Sequence, residues 1–213
     1  MNEKPILFSG PMVRAIIEGR KTMTRRVVRL RNGEDLHEAN DSTFHAVQDH
    51  GCHVTERKIK CPYGQPGDML YVKEASWIWC DKVQDGLTKT GRPKFRYVPH
   101  SRHVVYCADG ERPTKGVDCV IGHLWRYKSA RFMPRWASRI TLRVTSARVE
   151  RLQEITREDA KAEGVEEAEE GSLIGPRFNF MKLWDDINSE RGYGWGVNPW
   201  VWVVGFEVAE VRT

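Results

Sequence analysis

The sequence predicts an α+β fold: a small mixed β-barrel with flanking helices and two inserted loop regions, built as a single domain over residues 1–213. Three observations carry that prediction. Apolar residues alternate with polar ones at Ile140, Leu142 and Val144, and again through Trp200, Trp202, Val204, Phe206 and Val208, which is strand periodicity. The parity changes at Ala147 and Val149, so a bulge is expected near Thr145-Ser146, and a bulge there bends a sheet toward closure. Helical spacing occupies two other stretches, one after Ser9 and one after Pro176. Pattern alone also admits another α+β arrangement.

Taken in order, Ser9 is placed to cap a helix whose first position is Pro11, with Met12, Ala15 and Ile16 on one face. Gly19 ends it in a left-handed turn, and Arg20, Lys21, Thr24, Arg25 and Arg26 follow in a loop that runs into an extended Val27-Val28. Residues 31–60 show little periodicity and read as a long loop or arm. The Pro-Gly-rich run from Pro62 to Asp68 is a turn that delivers Met69–Val72 into a strand. Residues 81–130 read as a second insertion, basic and interleaved with Phe95, Tyr97, Tyr106, Trp125 and Tyr127.

Thr156 and Asp159 then form a capping box for a short helix that Gly164 ends, which sets Glu163 in its last turn. A carboxylate there faces the negative end of the helix dipole, a position suited to acid/base work. From Pro176, Phe178, Met181, Trp184 and Ile187 recur at helical steps and are expected to be core. The last strand is apolar on both sides in its first half, so it should lie centrally in the sheet.

The chain has 213 residues, 40% of them hydrophobic and eight of them tryptophan, enough for one core with an elaborate insertion. No run approaches the ~18 apolar residues of a membrane span, and Met1–Pro5 lacks the regions of a signal peptide. A cytoplasmic protein is expected, with no membrane partner. Five cysteines without a CxxC pair favour reduced thiols. Cys52, His53 and Cys61, or His100, His103 and Cys107, fit no common zinc spacing, so neither a metal nor a cofactor is expected.

The net charge of +5 is unevenly spread. Seven basic residues between Arg14 and Arg31 face Glu18 alone, whereas eight carboxylates between Glu154 and Glu170 face Arg157 and Lys161. One basic face and one solvated acidic helix follow, and a basic face suits phosphates. A solvated basic turn is the plain alternative for Arg20–Arg26. The absence of GxxxxGK[ST], HExxH and GxSxG argues against P-loop, zinc-peptidase and serine-esterase chemistry.

Four segments, FSGPMVRAIIEGRKTMTRR, PGDMLYVKE, MPRWASRITLRV and PWVWVVGFEV, resemble the ASCH domain family of the PUA-like superfamily, most closely its longer bacterial and prophage members. The similar regions are about 1–30, 62–79 and 131–213. The resemblance implies a PUA-like barrel and relates the chain to a bacterial N4-acetylcytidine amidohydrolase, whose GRKTxTxR lysine and threonine and later-helix glutamate would here be Lys21, Thr24 and Glu163. In that reading Thr24 supplies or orients the nucleophile, and Lys21, its pKa lowered by desolvation and by Arg20, Arg25 and Arg26, acts as base. Glu163 protonates the leaving amine, and Arg26 or a backbone N–H holds the oxyanion.

Arg20, Arg25, Arg26 and Arg135 are candidate phosphate or carboxylate contacts, and Trp77, Trp79 and Trp136 candidate stacking surfaces for a base, with a core role equally open to each tryptophan. The expected partner is RNA or a modified nucleoside, with an amidohydrolase, a non-catalytic RNA or modified-base binding module and a ribonuclease as the competing functions. A basic, aromatic arm over the pocket would favour a polymer, and a deep closed pocket a free nucleoside.

Overall fold

Strand pairing organises the chain into three sheets with helices packed against them, seen in a computed structural model that describes residues 3–31, 34–38, 44–49, 54–113, 123–165 and 175–212. The first elements are β1 (Glu3–Leu7), α1 (Gly10–Ile17), β2 (Met23–Val27), β3 (Asp35–Glu38), β4 (Phe44–Asp49) and β5 (Val54–Ile59). Next come β6 (Met69–Lys73), β7 (Ser76–Leu87), β8 (Pro93–Tyr106), β9 (His123–Lys128) and β10 (Ile140–Arg151). The chain closes with α2 (Arg157–Ala162), α3 (Pro176–Asn188) and β11 (Trp200–Val211).

The main sheet runs β1-β6-β10-β11-β2, with β1 and β6 parallel and the other pairs antiparallel. Among the described residues it is not a closed barrel, because β1 and β2 share no backbone ladder. The sheet nevertheless curls far enough for the Arg26 guanidinium on β2 to donate to the Leu7 carbonyl on β1 at 2.7 Å. A side chain thus spans the gap that a closed barrel would fill with backbone bonds.

The predicted bulge lies between Val144 and Ser146, where two residues of β10 advance against one of β11. Glycine suits that crossing: a Cβ on Gly205 would sit 2.5 Å from the Ser146 hydroxyl. β11 is paired on both sides, and both faces of its first half are buried. Val204 and Phe206 pack with Ile6, Val13, Ile16, Leu70 and Leu142, while Val201 and Val203 pack with Leu152, Ile155, Phe180 and Trp184.

Both insertions differ from the loops expected of them. Residues 31–60 carry the antiparallel sheet β3-β4-β5, and residues 81–130 carry β8-β7-β9. Val54, Thr55 and Glu56 are all exposed, as is β7 from Lys82 to Leu87. A ribbon wet on both faces needs no apolar alternation, so the sequence carried no strand signal there.

Helix α1 buries Val13, Ala15 and Ile16, with Met12 half-buried at the core edge, and Gly19 (φ 74°) makes the left-handed exit. Ser9 holds the cap position, but its side chain makes no capping bond. In α3 the expected stripe is corrected. Phe180, Trp184 and Asn188 face the core, whereas Phe178 and Ile187 are exposed. The row of four-residue steps is completed by an asparagine whose Nδ2 donates to the Trp184 carbonyl, which an apolar pattern cannot register.

Candidate functional site

The turn after α1 fixes Lys21. Its N–H donates to the Ala15 carbonyl at 2.9 Å, the Thr22 N–H to Ala162 at 2.8 Å, and the Phe206 N–H to Thr22 at 2.8 Å. The segment therefore ties the end of α2 to β11, and Lys21 and Glu163 form a single antiparallel bridge. Thr156 caps α2 by accepting from the Asp159 N–H, and Glu163 occupies the C-terminal cap position. Gly164 follows at φ 82°, where a Cβ would lie 2.9 Å from the Lys21 Cβ and 3.0 Å from the Ala15 Cβ. Only glycine permits that approach.

Lys21 is wholly buried, and its ammonium donates to the Met23 carbonyl (2.8 Å), the Glu163 carbonyl (2.8 Å) and Glu163 Oε2 (2.7 Å). All three donors are used. The ammonium also offsets the negative end of α2. Burial pushes Lys21 below the ordinary lysine value, the charge and hydrogen bond of Glu163 oppose this, and Arg26 and Arg25 add smaller downward contributions. Desolvation, rather than the neighbouring arginines, is the leading cause.

Strand alternation on β2 separates the next residues. Thr24 lies opposite Val204 and shares its face with Arg26. It is buried, and its hydroxyl makes no hydrogen bond among the described residues. Arg25 points the other way and is also wholly buried, donating to Asp159 Oδ2 (2.5 Å) and Glu150 Oε2 (3.1 Å) and lying 3.6 Å from Glu163 Oε1. Among the described residues that last oxygen has no hydrogen-bond partner, nor do the Nε atoms of Arg25 and Arg26.

Lys21, Arg25 and Glu163 therefore come together, with Arg26 near enough to interact electrostatically with Lys21 and Glu163. Thr24, by contrast, sits on the face of β2 away from Arg25 and makes no hydrogen bond to the pair among the described residues. Arg20 sits at the edge, paired with Glu18 and donating to Gly164 at 3.2 Å. Arg135 does not join them, because it pairs with Glu3 and stacks on Tyr71 at 4.7 Å. Trp77 packs edge-on against Tyr127 on the β8-β7-β9 sheet, and Trp136 packs against the small core beneath that sheet. Neither tryptophan shares the Lys21 surroundings.

Open space begins one layer outside the Lys21–Glu163 pair. A cavity of about 450 Å³ occupies the gap between β1, β2 and α3, bordered by Arg25, Arg26, Arg29 and Arg191 with Tyr63, Trp184 and Tyr193. It shares Arg29 and Tyr63 with a second cavity of about 510 Å³, and that one shares Lys58–Lys60 and Trp202 with a third of about 520 Å³. Among the described residues, no carboxylate lines any of the three. They form one cationic trough between the main sheet and β5, although Arg25 and Arg57 are themselves neutralised by carboxylates nearby.

Arg29, Tyr63, Arg191 and Tyr193 were not singled out in the sequence. Arg29 was at least legible within the basic run, whereas Tyr63 and Tyr193 reach the trough from turns whose positions only the fold determines.

Among the described residues, the three ligand-type side chains that cluster are Asp81, His100 and His123. His100 thus has different neighbours from the His103 and Cys107 considered above. Cys52, His53 and Cys119 lie outside the described residues. No described helix is long and apolar enough to cross a membrane. No family model, curated protein or solved structure matches the chain.

Proposed function

We propose that this chain binds single-stranded RNA, with a base or modified base received in the cavity beside Arg25 and Arg26. The observation that carries the reading is the trough itself: adjoining cavities that share lining residues, bordered by cations and aromatic rings, with no carboxylate among the described residues that line them. Cations along a groove follow a phosphate backbone, and rings within it offer surfaces for stacking. A PUA-like domain of the ASCH family, the resemblance carried by GRKTMTRR, agrees with this reading.

One arrangement favours a second reading, hydrolysis of an N-acylated cytidine. Lys21 and Glu163 are in direct contact at 2.7 Å, and one Glu163 oxygen has no hydrogen-bond partner among the described residues. In the ion pair every Lys21 donor is occupied, so Lys21 becomes a base only by first passing a proton to Glu163. That transfer leaves a neutral amine beside a carboxylic acid, the base and the acid that amide cleavage needs, with Thr24 as nucleophile.

The two readings separate in one experiment. Purified protein is mixed with a labelled single-stranded RNA and, in parallel, with acylated nucleosides, following anisotropy in the first and product masses in the second. Saturable RNA binding without product supports the binding module, and shortened RNA would indicate a ribonuclease. Deacylated cytidine supports the hydrolase, in which case Thr24→Ala lowers turnover by roughly 10²-fold and Thr24→Ser retains part of it. Neither binding nor product would reject both readings.

A further inference from the structure

The β8-β7-β9 sheet carries a second constellation, remote from the trough in the fold. Its inner face is apolar, with Ile78 and Cys80 packed on Met133 and Ala137. Strand alternation turns Trp77, Trp79 and Asp81 of β7 to the other face, where their cross-strand partners on β9 are Tyr127, Trp125 and His123. Trp79 packs against both Trp125 (ring centroids 5.1 Å) and His123 (5.9 Å). From the opposite side the ladder with β8 is interrupted: Ile78 pairs with Val104 but Cys80 already pairs with Pro99. The extra β8 residues form a bulge that begins at His100, and bulges re-aim side chains.

The result is convergence from three strands. His100 Nδ1 lies 3.0 Å from the Asp81 carboxylate, and His123 Nδ1 contacts the same carboxylate. The two imidazoles are 4.1 Å apart by ring centroids. Against the upward push of desolvation, the hydrogen bonds and charges of the two histidines hold Asp81 below the ordinary carboxylate value, so it is an anion.

We propose that Asp81, His100 and His123 bind a divalent transition metal ion of the zinc class. One carboxylate oxygen and two imidazole nitrogens are a ligand set suited to such ions. Their donor atoms lie within 4.8 Å of one another. A tetrahedron with bonds of about 2.0–2.1 Å has ligand edges of roughly 3.3 Å, so the 3.0 Å pair already has the spacing and His123 needs only a small rotation.

The site is half open. His100 has 47% of its side chain exposed and His123 only 16%. His100 also borders a cavity of about 310 Å³ with Pro99, Arg102 and Trp136, leaving coordination positions for water or an anionic group held by Arg102. Trp79 against His123 fixes that ring, as a supporting shell does.

The test uses the full-length protein, freed of metal with a chelator, titrated with Zn²⁺ by calorimetry and with Co²⁺ by visible absorption. Expected is one equivalent bound, with the intense Co²⁺ bands of four-coordinate geometry, and an affinity at least about 10-fold weaker in His100→Ala, His123→Ala and Asp81→Asn. His45→Ala on β4 should bind as the wild type does. All four positions lie on strands with exposed edges or faces, and circular dichroism checks that each variant is folded. No binding, or binding equally strong in all variants and therefore due to thiols or other groups, would overturn the proposal.

Discussion

Lys21→Met lowers the unfolding free energy by about 3–5 kcal/mol, as read from urea titration, because it strips the partner from a carboxylate that cannot reach water. Glu163 is 5% exposed and Lys21 not at all, so neither can hydrate the charge left behind. Removal of the ammonium also abandons the carbonyls of Met23 and Glu163. Arg25, 3.6 Å away and already committed to Asp159 and Glu150, cannot replace it. Glu163→Gln added to Lys21→Met should recover part of the loss by deleting the stranded charge. A single variant with wild-type stability would mean that the pair is solvated in solution.

That expectation changes how catalysis should be tested. A Lys21 variant that loses activity has two explanations, whereas Thr24 carries no charge and no hydrogen bond among the described residues, so its variants report on chemistry with less disturbance of the fold.

The second large effect concerns the trough. Replacing Arg29, Lys60 and Arg191 together by alanine should leave stability within about 0.5 kcal/mol, since all three are exposed. RNA binding should respond strongly. If each side chain meets a phosphate, the slope of log affinity against log salt becomes shallower by about one unit per residue removed. Measured by anisotropy across a salt series, wild-type protein gives a steep line and the triple variant a flatter, weaker one. Parallel lines would place the RNA elsewhere.

How much of this was legible in the sequence depended on how one-sided each element is. β10 and β11 contact the core and display it as alternation, and even the bulge at Thr145 showed as a parity change. The first half of β5 and the outer half of β7 are exposed on both faces, so they carry no periodic trace. In α3, Asn188 stands where a hydrophobic residue was sought, and the stripe was assigned to Phe178 and Ile187 instead.

The site divides in the same way. Lys21 and Glu163 are 142 positions apart, and only the resemblance of GRKTMTRR to a family motif linked them; no spacing rule would have done so. The trough was less visible still. Arg29, Tyr63 and Arg191 meet because the sheet curls, and Asp81, His100 and His123 meet because a bulge shortens a register, neither of which is a local property of the chain.

If RNA lies along the cavities from Tyr193 to Trp202, photocrosslinking will locate it there. A single strand containing 4-thiouridine is irradiated with the wild-type protein, and the adducts are mapped by peptide mass. Adducts are expected at Tyr63 or Tyr193, lost when Arg29, Lys60 and Arg191 are replaced. Adducts confined to Trp77, Trp79 and Trp125 on the outer sheet, or an unchanged pattern in the triple variant, would contradict that placement.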